Sequence, residues 1–557
     1  MPKLIIKKLK NFVKGHDNVY KIVLIFWGFF WITRARIIFS KIKRIAKQEA
    51  LPKNSHKVLI LAIRSIPTTN LVYFDAVFGH AFKKLGCAVK MLYCDGFLNS
   101  CDANTVFYNQ KPQCFVCKTL GPQVRNSLGL DCIFYRQYVS DSDIKDIKEK
   151  VAKLNTAEML NYEYLGVNVG IHAQSSAVRY FLFGSLNLDN PKEVEMLKEK
   201  LILAMIATKV ASNIVEKEKP DRLFLLHGVY STWAPFLDYF RKEGIDTIVY
   251  MNMSQRIGNF LFRRNNRAND IMDVKDKWLD FSRIPLTARE EEKVDSYFKQ
   301  RLLGITPDQG MYAKNFDNTD KEKSLQKLAP ENKYSRRYVL YANVAWDCAI
   351  EGQISNIFKD VFSWIDTTIE FFKKNKNYQL IIKSHPAELI WEGSSKTMAD
   401  YIFEKHGSLP DNITILKPDA PFSAYNLVTS DTVGLVFNGT AGLELAVLGM
   451  PVLVVADVVH YKNAGVVYQI STPKEYLDLL ENPGPAISFA KENIKLAKKY
   501  AYFFLFKSMI RIPFYREDQW SVIDWRALSD PKKLLDREGY IMQICKKIVN
   551  GEDIIIS

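Results

Sequence analysis

The sequence lacks a long apolar run near its N-terminus. The uncharged segment Ile22–Thr33 has twelve residues, whereas a spanning helix needs roughly 20. The segment also lacks the small-residue cleavage site of a signal peptide, because Arg34 and Arg36 follow it directly. Without a secretion signal we expect a reducing compartment, so the eight cysteines do not predict a disulfide framework.

Acidic residues are scarce in the first 48 positions, where twelve Lys or Arg stand against the single acid Asp17. This block supplies most of the net charge of +16, so the remaining chain does not predict a nucleic-acid-binding face. Aromatic residues flanked by Lys and Arg are typical of a helix lying in the interface of an anionic membrane. We therefore predict a basic, amphipathic membrane-associating segment over residues 1–50, peripheral or monotopic at the cytoplasmic face of the inner or plasma membrane. The alternative is a helix buried against the catalytic domain.

Buried-strand and helical patterns alternate through most of the remaining chain. Val58–Ile63 opens one β-loop-α-β unit, and Tyr338 opens a second series with at least four β-α repeats. These patterns predict an α/β fold of two Rossmann-like domains facing a cleft. We place the first domain at 55–302, a linker at 303–337, the second domain at 338–482 and a helical tail at 483–557.

Polar residues follow three predicted strands of the second domain. Asp347 follows the first strand, His385 follows the next, and Asn438 begins the turn NGTAGLE after a third. Ligands of open α/β sheets bind at the carboxyl ends of strands, so these loops predict one site. The glycines and Thr440 of the turn suit the binding of an anion such as a diphosphate. The alternative is an ordinary strand-to-helix turn.

Two common phosphate-binding motifs are missing from these turns. Neither G-x-x-x-x-G-K-[ST] nor G-x-G-x-x-G occurs there, which argues against a P-loop NTPase or a typical dinucleotide enzyme. The segment from Tyr338 to about Leu480 instead resembles the capsule polysaccharide biosynthesis family, which includes bacterial Kdo transferases. The matching pieces are NVAWD (343–347), KSHPAE (383–388), the run 422–455 and Tyr461. The His-Pro pair and the hydroxyl-bearing turn are also similar to motifs of GT-B sialyltransferases and polysialyltransferases.

The resemblance implies a GT-B glycosyltransferase that moves a sugar from a nucleotide-sugar donor to a glycan or lipid-linked acceptor in capsule or surface polysaccharide biosynthesis. It implies that the second domain binds the donor and the first domain binds the acceptor. GT-B enzymes generally need no cofactor for catalysis. The donor-nucleotide ligands that it implies are His385, Pro386, Glu388, Ser423, Asn438, Gly439, Thr440 and Glu444.

The general base is expected at a strand end of the first domain, across the cleft from the donor. His227 and Asp95 are the candidates there, and Asp347 is a third catalytic candidate in the second domain. A base with a pKa near neutrality suits removal of a proton from an acceptor hydroxyl. A single histidine at a strand end is also often structural, so both interpretations of His227 stay open.

Four cysteines are spaced in a way reminiscent of a metal site: Cys94, Cys101, Cys114 and Cys117. Four thiolates could hold a structural zinc ion that staples a Cys-rich insertion in the first domain. A free buried cysteine is equally ordinary at the end of a strand such as that before Cys94.

Two other functions stay open from the sequence. A polyol-phosphate transferase of the CDP-glycerol type shares the His-Pro and strand-turn-helix elements. A catalytically silent scaffold of a capsule assembly complex would share the fold without using the site. A nucleotide-sugar 2-epimerase fits less well, because an epimerase needs no membrane tether.

Overall fold

The structure is a computed structural model, and it describes most of the chain. The described residues are 17–52, 54, 56–67, 69–98, 100–106, 112–266, 275–309, 328, 333–347, 350, 354–389, 393–421, 423–428, 432–457, 459–462 and 464–555. Most of the predicted linker 303–337 lies outside these residues.

The first sheet has seven strands in the order β15-β8-β7-β6-β1-β2-β3. Its strands are β1 (Lys57–Ile63), β2 (Ala88–Tyr93), β3 (Asp131–Phe134), β6 (Arg222–Leu226), β7 (Asp246–Met253), β8 (Asn259–Arg264) and β15 (Ile510–Arg511). The five strands from β3 to β7 in this order are parallel, and β8 and β15 are antiparallel additions at one edge. The apolar run of β1 is explained by its central position, which buries it on both faces.

Helices cover both faces of this sheet. They are α1 (Asp17–Gln48), α2 (Asn70–Lys84), α3 (Pro112–Leu128), α4 (Asp141–Ala152), α5 (Thr156–Leu160), α6 (Val169–Phe181), α7 (Pro191–Glu218) and α8 (Tyr230–Lys242). A hairpin of β4 (Glu163–Tyr164) and β5 (Val167–Asn168) precedes α6, and α9 (Lys275–Ser282) and α10 (Ala288–Leu302) follow the sheet. One core packs α1, α2 and α3 on one face, and a second packs α6, α7 and α8 on the other.

The second sheet has six parallel strands in the order β11-β10-β9-β12-β13-β14. They are β9 (Arg336–Tyr341), β10 (Tyr378–Lys383), β11 (Ile413–Leu416), β12 (Thr432–Val436), β13 (Val452–Val454) and β14 (Tyr468–Gln469). The helices of this domain are α11 (Val361–Lys374), α12 (Met398–His406), α13 (Ala441–Val447), α14 (Pro473–Glu481) and α15 (Gly484–Tyr502). In chain order this is the doubly wound 3-2-1-4-5-6 arrangement, whose direction reverses between β9 and β12.

The C-terminal tail returns to the first domain. After α15, the π-helix Phe503–Ser508 leads into β15, which pairs antiparallel with β8. The short helices α16 (Trp525–Leu528) and α17 (Pro531–Leu534) and the helix α18 (Tyr540–Asn550) follow. Trp525 stacks on Trp31 of α1 with ring centroids 4.8 Å apart. The tail is therefore more than the helical segment that we predicted, because one of its strands completes the first sheet.

The carboxyl edges of the two sheets face each other. Gln255, just after β7, donates from Nε2 to Thr440 Oγ1, just after β12, at 3.4 Å. The guanidinium of Arg179 on α6 lies 4.9 Å from the ring centroid of Trp346, which follows β9. These contacts confirm the predicted fold of two Rossmann-like domains facing a cleft. In the described part of the chain, no helix is both long enough and apolar enough to span a membrane.

Candidate active site

The glycine turn after β12 approaches its surroundings closely. Gly439 has a φ of +97°, a left-handed conformation that favours glycine, and no heavy atom would contact a Cβ built there. At Gly442 a Cβ would lie 2.2 Å from the hydroxyl oxygen of Tyr461. The same hydroxyl donates to the carbonyl of Gly439 at 2.7 Å. Buried Tyr461 thus fixes the backbone of the turn and leaves open space beside Gly439.

Thr440 is oriented toward the cleft. It occupies the N-cap position of α13, but its side chain accepts no capping hydrogen bond. Its hydroxyl instead receives the hydrogen bond from Gln255. The hydroxyl of Tyr297 on α10 in turn donates to the carbonyl oxygen of Gln255 at 2.9 Å. A residue of the first domain therefore contacts the turn of the second directly.

Glu444 has an internal role. Its Oε1 lies 3.1 Å from Nη2 of Arg301, and its Oε2 accepts a hydrogen bond from the hydroxyl of Tyr425. Arg301 also contacts Asp308 Oδ2 at 2.6 Å and donates from Nε to Tyr425 at 2.8 Å. Both oxygens of the predicted ligand residue Glu444 thus already have protein partners. Its contribution is to hold α13 against α10 behind the turn.

His385 is positioned by the loop after β10. Its Nδ1 accepts the backbone N–H of Ala387 at 3.1 Å, and Pro386 opens a 3₁₀ turn, Pro386–Leu389. Burial, followed by the nearby Lys383 ammonium, lowers the pKa of His385 to about 4. The ring is therefore neutral near pH 7 and carries its proton on Nε2. His385 is a hydrogen-bond donor, which suits an oxygen of a ligand.

Glu388 in the same loop has one carboxylate oxygen without a hydrogen-bond partner among the described residues. Its Oε1 accepts the N–H of Met398 at 2.9 Å, whereas its buried Oε2 has no hydrogen-bond partner among the described residues. Burial raises the pKa of Glu388 to about 7 and lowers the pKa of the neighbouring Lys383 to about 8. An acceptor left without a partner in a buried position is costly, which favours a ligand hydroxyl there.

The other predicted residues of the second domain differ in role. Ser423 is buried, and its hydroxyl accepts the N–H of Asn426 as the cap of a 3₁₀ turn. Asn438 is half-buried beside Gly439, and Asp347 is exposed at the end of the loop after β9. Asn438 and Asp347 therefore lie at the same carboxyl edge, whereas Ser423 acts within the fold.

His227 lies at the corresponding edge of the first domain. Its Nδ1 accepts the N–H of Val229 at 3.2 Å, and burial, followed by the charge of Arg64, lowers its pKa to about 3. A neutral ring whose Nδ1 is an acceptor carries its proton on Nε2. In this tautomer Nε2 is a hydrogen-bond donor, and the role of His227 as general base stays a prediction. His227 can still orient a ligand oxygen.

Asp95 forms an ion pair at the end of β2. Its Oδ1 lies 3.0 Å from Nη2 of Arg125, whose Nη1 donates to the hydroxyl of Ser65 at 3.1 Å. This chain of contacts ties the end of β2 to the end of β1. Asp95 therefore has a structural contact here, and its catalytic role stays a prediction.

Backbone strain is concentrated at this edge of the first sheet. Ile63 at the end of β1, Asp95 just after β2 and His227 just after β6 have φ values of 42°, 55° and 32°. Side-chain-bearing residues in this region cost about 1–3 kcal/mol each and persist where the surroundings hold them. Next to them, the guanidinium of Arg64 lies 4.9 Å from the ring centroid of Trp233, and its buried Nε has no partner among the described residues. This edge therefore has the features of a second ligand-binding surface.

The four cysteines do not form a ligand set. Within the described residues, no group of three or more His, Cys, Asp or Glu side chains could hold a metal ion. Two of the sulfurs accept hydrogen bonds from different residues. Cys94 Sγ accepts the N–H of Leu98 at 3.2 Å, and Cys114 Sγ accepts from the side-chain amide of Asn104 at 3.8 Å. Burial raises the pKa of Cys117 to about 12, which keeps it a neutral thiol. These contacts give no support to the zinc site predicted from Cys94, Cys101, Cys114 and Cys117, which stays a prediction.

Comparison with solved structures gives likenesses at low identity. One is a UDP-GlcNAc 2-epimerase from Neisseria meningitidis, at 13% identity and a TM-score of 0.26, covering 81% of this chain and 99% of that one. A second is the beta Kdo 2,4 transferase KpsC of Thermosulfurimonas dismutans, at 10% identity and a TM-score of 0.29, covering 46% and 75%. A third is the spinosyn rhamnosyltransferase SpnG, at 12% identity and a TM-score of 0.24, covering 89% and 100%. TM-scores this low carry no inference about activity. No protein-family model matches the chain, and neither does any curated protein.

Three residues of the site escaped the sequence analysis: Gln255, Arg301 and Arg64. Gln255 follows β7, which runs to Met253, and nothing in the local sequence marks it as a cleft residue. Arg301 lies within a helix whose pattern gives no sign of a partner on α13. Only Arg64 had a signal, since it is the first polar residue after the apolar run of β1.

Proposed function

We propose that this protein is a nucleotide-sugar-dependent glycosyltransferase of surface polysaccharide biosynthesis. The observation that carries the proposal is the contact between Gln255 and Thr440, because it joins the carboxyl edges of two Rossmann-like sheets. Ligands of such sheets bind at these edges. A cleft between two edges brings a donor on one domain to an acceptor on the other.

The donor would occupy the second domain. The Thr440 hydroxyl and the N–H groups of the Gly439 turn face a diphosphate, and Nε2 of His385 donates to a phosphate or ribose oxygen. Oε2 of Glu388, which has no partner among the described residues, accepts a hydroxyl of the nucleotide-sugar. Asp347, exposed at the same edge, is a candidate for proton transfer. In the first domain, Arg64 and His227 offer donors to the acceptor.

A nucleotide panel tests this function. We expect one of CMP, CDP, UDP, GDP or dTDP to raise the melting temperature, since a ligand at 100 times its Kd stabilises the folded state by about 2.7 kcal/mol. Thr440→Val and His385→Ala should each weaken that nucleotide roughly tenfold, by removing a hydrogen bond to a charged group. The measurement is a thermal-shift titration of the full chain.

Thr414→Val on the edge strand β11 is the matched control, because it makes the same change of hydroxyl to methyl away from the cleft. Unchanged melting temperatures with every nucleotide would contradict the proposal and favour a silent scaffold. Binding of CDP-glycerol in preference to nucleotide-sugars would favour the polyol-phosphate transferase instead.

We further propose that α1 holds the enzyme at an anionic membrane surface. Its inner face packs into the first domain through Ile32, Ile38 and Ile42. Its outer face exposes a stripe of apolar side chains: Ile22, Phe26, Trp27, Phe29, Phe30 and Ile37, each 50% exposed or more. Arg36, Lys41, Lys43 and Arg44 are exposed further along the helix. Apolar area beside basic charge suits the interface of an anionic bilayer.

Vesicle sedimentation tests the membrane proposal. Phe26→Ser combined with Phe30→Ser should lower partitioning onto phosphatidylglycerol vesicles roughly hundredfold. The reason is that burial of these two aromatic side chains in the bilayer contributes about 3 kcal/mol together. Phe403→Ser on α12, where the ring is 46% exposed, is the control and should bind like the wild type. Equal binding by the double variant and the wild type would refute the role of α1.

A further inference from the structure

A cavity of about 760 Å³ lies between α10 and the π-helix Phe503–Ser508. Arg289 and Lys293 line it from α10, and the rings of Tyr297 and Phe506 form an aromatic wall. The cavity does not include the glycine turn, but Tyr297 links the two. Its hydroxyl donates to the carbonyl of Gln255, and the side chain of Gln255 contacts Thr440.

Two cations lie over the Phe506 ring, and two more act on Lys293 from nearby. The guanidinium of Arg256 lies 4.8 Å, and Nζ of Lys293 lies 4.6 Å, from the centroid of the Phe506 ring. Arg289 is the neighbour on α10, and Lys507 follows Phe506 in the chain. Burial, followed by the charges of Arg256, Arg289 and Lys507, lowers the pKa of Lys293. Among the described residues, none of the four cations forms an ion pair.

The two carboxylates of the cavity do not neutralise this charge. Glu290 is engaged in the N-cap of α10, where it accepts the N–H of Thr287 at 2.9 Å and its hydroxyl at 3.0 Å. Glu292 is the other acid that lines the cavity. The cavity lining has two cations and two acids, so the excess of positive charge in this region comes from Arg256 and Lys507, which lie outside the lining. The face of one phenyl ring attracts a cation only weakly by comparison.

The backbone beneath the cations is also unusual. The π-helix widens the chain after Tyr502 and places Phe506 under the two cationic groups. π-helical segments are rare in proteins, and those that occur often lie at functional sites. Like charges held together without a counterion cost free energy, which a bound multivalent anion recovers through charge-assisted hydrogen bonds.

We propose that this cavity is a second anion-binding site, which takes the phosphate or pyrophosphate group of a ligand other than the donor nucleotide. Arg289 and Lys293 contact the anion directly, and Arg256 and Lys507 add positive potential from behind Phe506. The site goes beyond the proposed transferase activity and does not depend on it.

Calorimetric titration with inorganic pyrophosphate tests the site. Arg289→Gln combined with Lys293→Gln should weaken binding at the cavity roughly tenfold or more, because two charge-assisted contacts are lost. Lys299→Gln, an exposed change on the same helix, is the matched control and should leave binding unchanged. Thr440→Val should also leave binding at the cavity intact, because it alters only the glycine turn.

Two results would overturn the proposal. One is pyrophosphate binding that is identical in the double variant and the wild type, or that is lost only in Thr440→Val. The other is a ligand-free melting temperature of the double variant below that of the wild type, since removal of mutual repulsion should not destabilise the fold. Titrations with glucose 1-phosphate and with phosphatidylglycerol vesicles, each compared between the wild type and the double variant, identify a soluble phosphorylated sugar or a lipid headgroup as the source of the anion.

Discussion

Arg301→Met should lower the free energy of unfolding by about 3–5 kcal/mol, because the change leaves two buried carboxylates without their cation. The side chains of Arg301, Asp308 and Glu444 are 9%, 7% and 11% exposed. Arg301 alone contacts both acids, so its loss cannot be compensated by a neighbouring described cation. Urea unfolding of the full chain measures the effect.

Arg301→Met should also affect the proposed nucleotide site at the glycine turn. Glu444 lies in the first turn of α13, the helix that begins directly after Thr440. Its contact with Arg301 ties that helix to α10. We therefore expect Arg301→Met to weaken nucleotide binding even though Arg301 does not contact the nucleotide. The weakening should persist below the unfolding transition, where the variant is still folded.

A charge-matched variant provides the control for Arg301→Met. Combining it with Asp308→Asn and Glu444→Gln removes the uncompensated charges and should recover most of the lost stability. Lys299→Met, an exposed change on the same helix, should have little effect. An unchanged urea midpoint for Arg301→Met would show that the buried ion cluster does not stabilise this domain.

Local patterns were sufficient to predict the two sheets. Continuous apolar runs such as those of β1 and β9 indicate strands buried on both faces, and the polar loops after them indicate the carboxyl edges. The positions of His385 and Thr440 at one edge follow from this alternation alone. Neither deduction requires knowledge of which residues meet in space.

Long-range pairing was not predictable in the same way. Ile510 pairs with Phe260 through the backbone, and a two-residue strand leaves no periodic signal in the sequence. Glu444 has the sequence context of a ligand residue, but its partner Arg301 lies on a helix far away in the chain. The tautomer of His227 was not predictable for a related reason, since it depends on the N–H of Val229 in a tight turn.

The Cys-rich insertion gives the last prediction. Lys200 on α7 is fully buried, and its Nζ donates to the carbonyl of Ser100 at 2.9 Å and to Asp102 Oδ1 at 3.3 Å. Asp102 Oδ2 accepts the N–H of Thr232 at 3.0 Å and also the Thr232 hydroxyl. Thr232 lies in the first turn of α8, shortly after His227. An ion pair therefore fastens this insertion to α7 and α8.

Lys200→Met should destabilise the protein by about 3–5 kcal/mol, because it leaves Asp102 charged and buried without its cation. Lys198→Met, two residues earlier on α7, is the control and should have little effect. Treatment of the wild type with 1,10-phenanthroline distinguishes stabilisation by zinc from stabilisation by the ion pair. A zinc-held insertion would lose stability when the chelator is added, and an ion-paired one would not. Loss of stability with the chelator, together with unchanged stability of Lys200→Met, would show that a metal holds the insertion through Cys94, Cys101, Cys114 and Cys117. The opposite result would mean that these four thiols only fill the core around a salt bridge that fixes the first-domain side of the cleft.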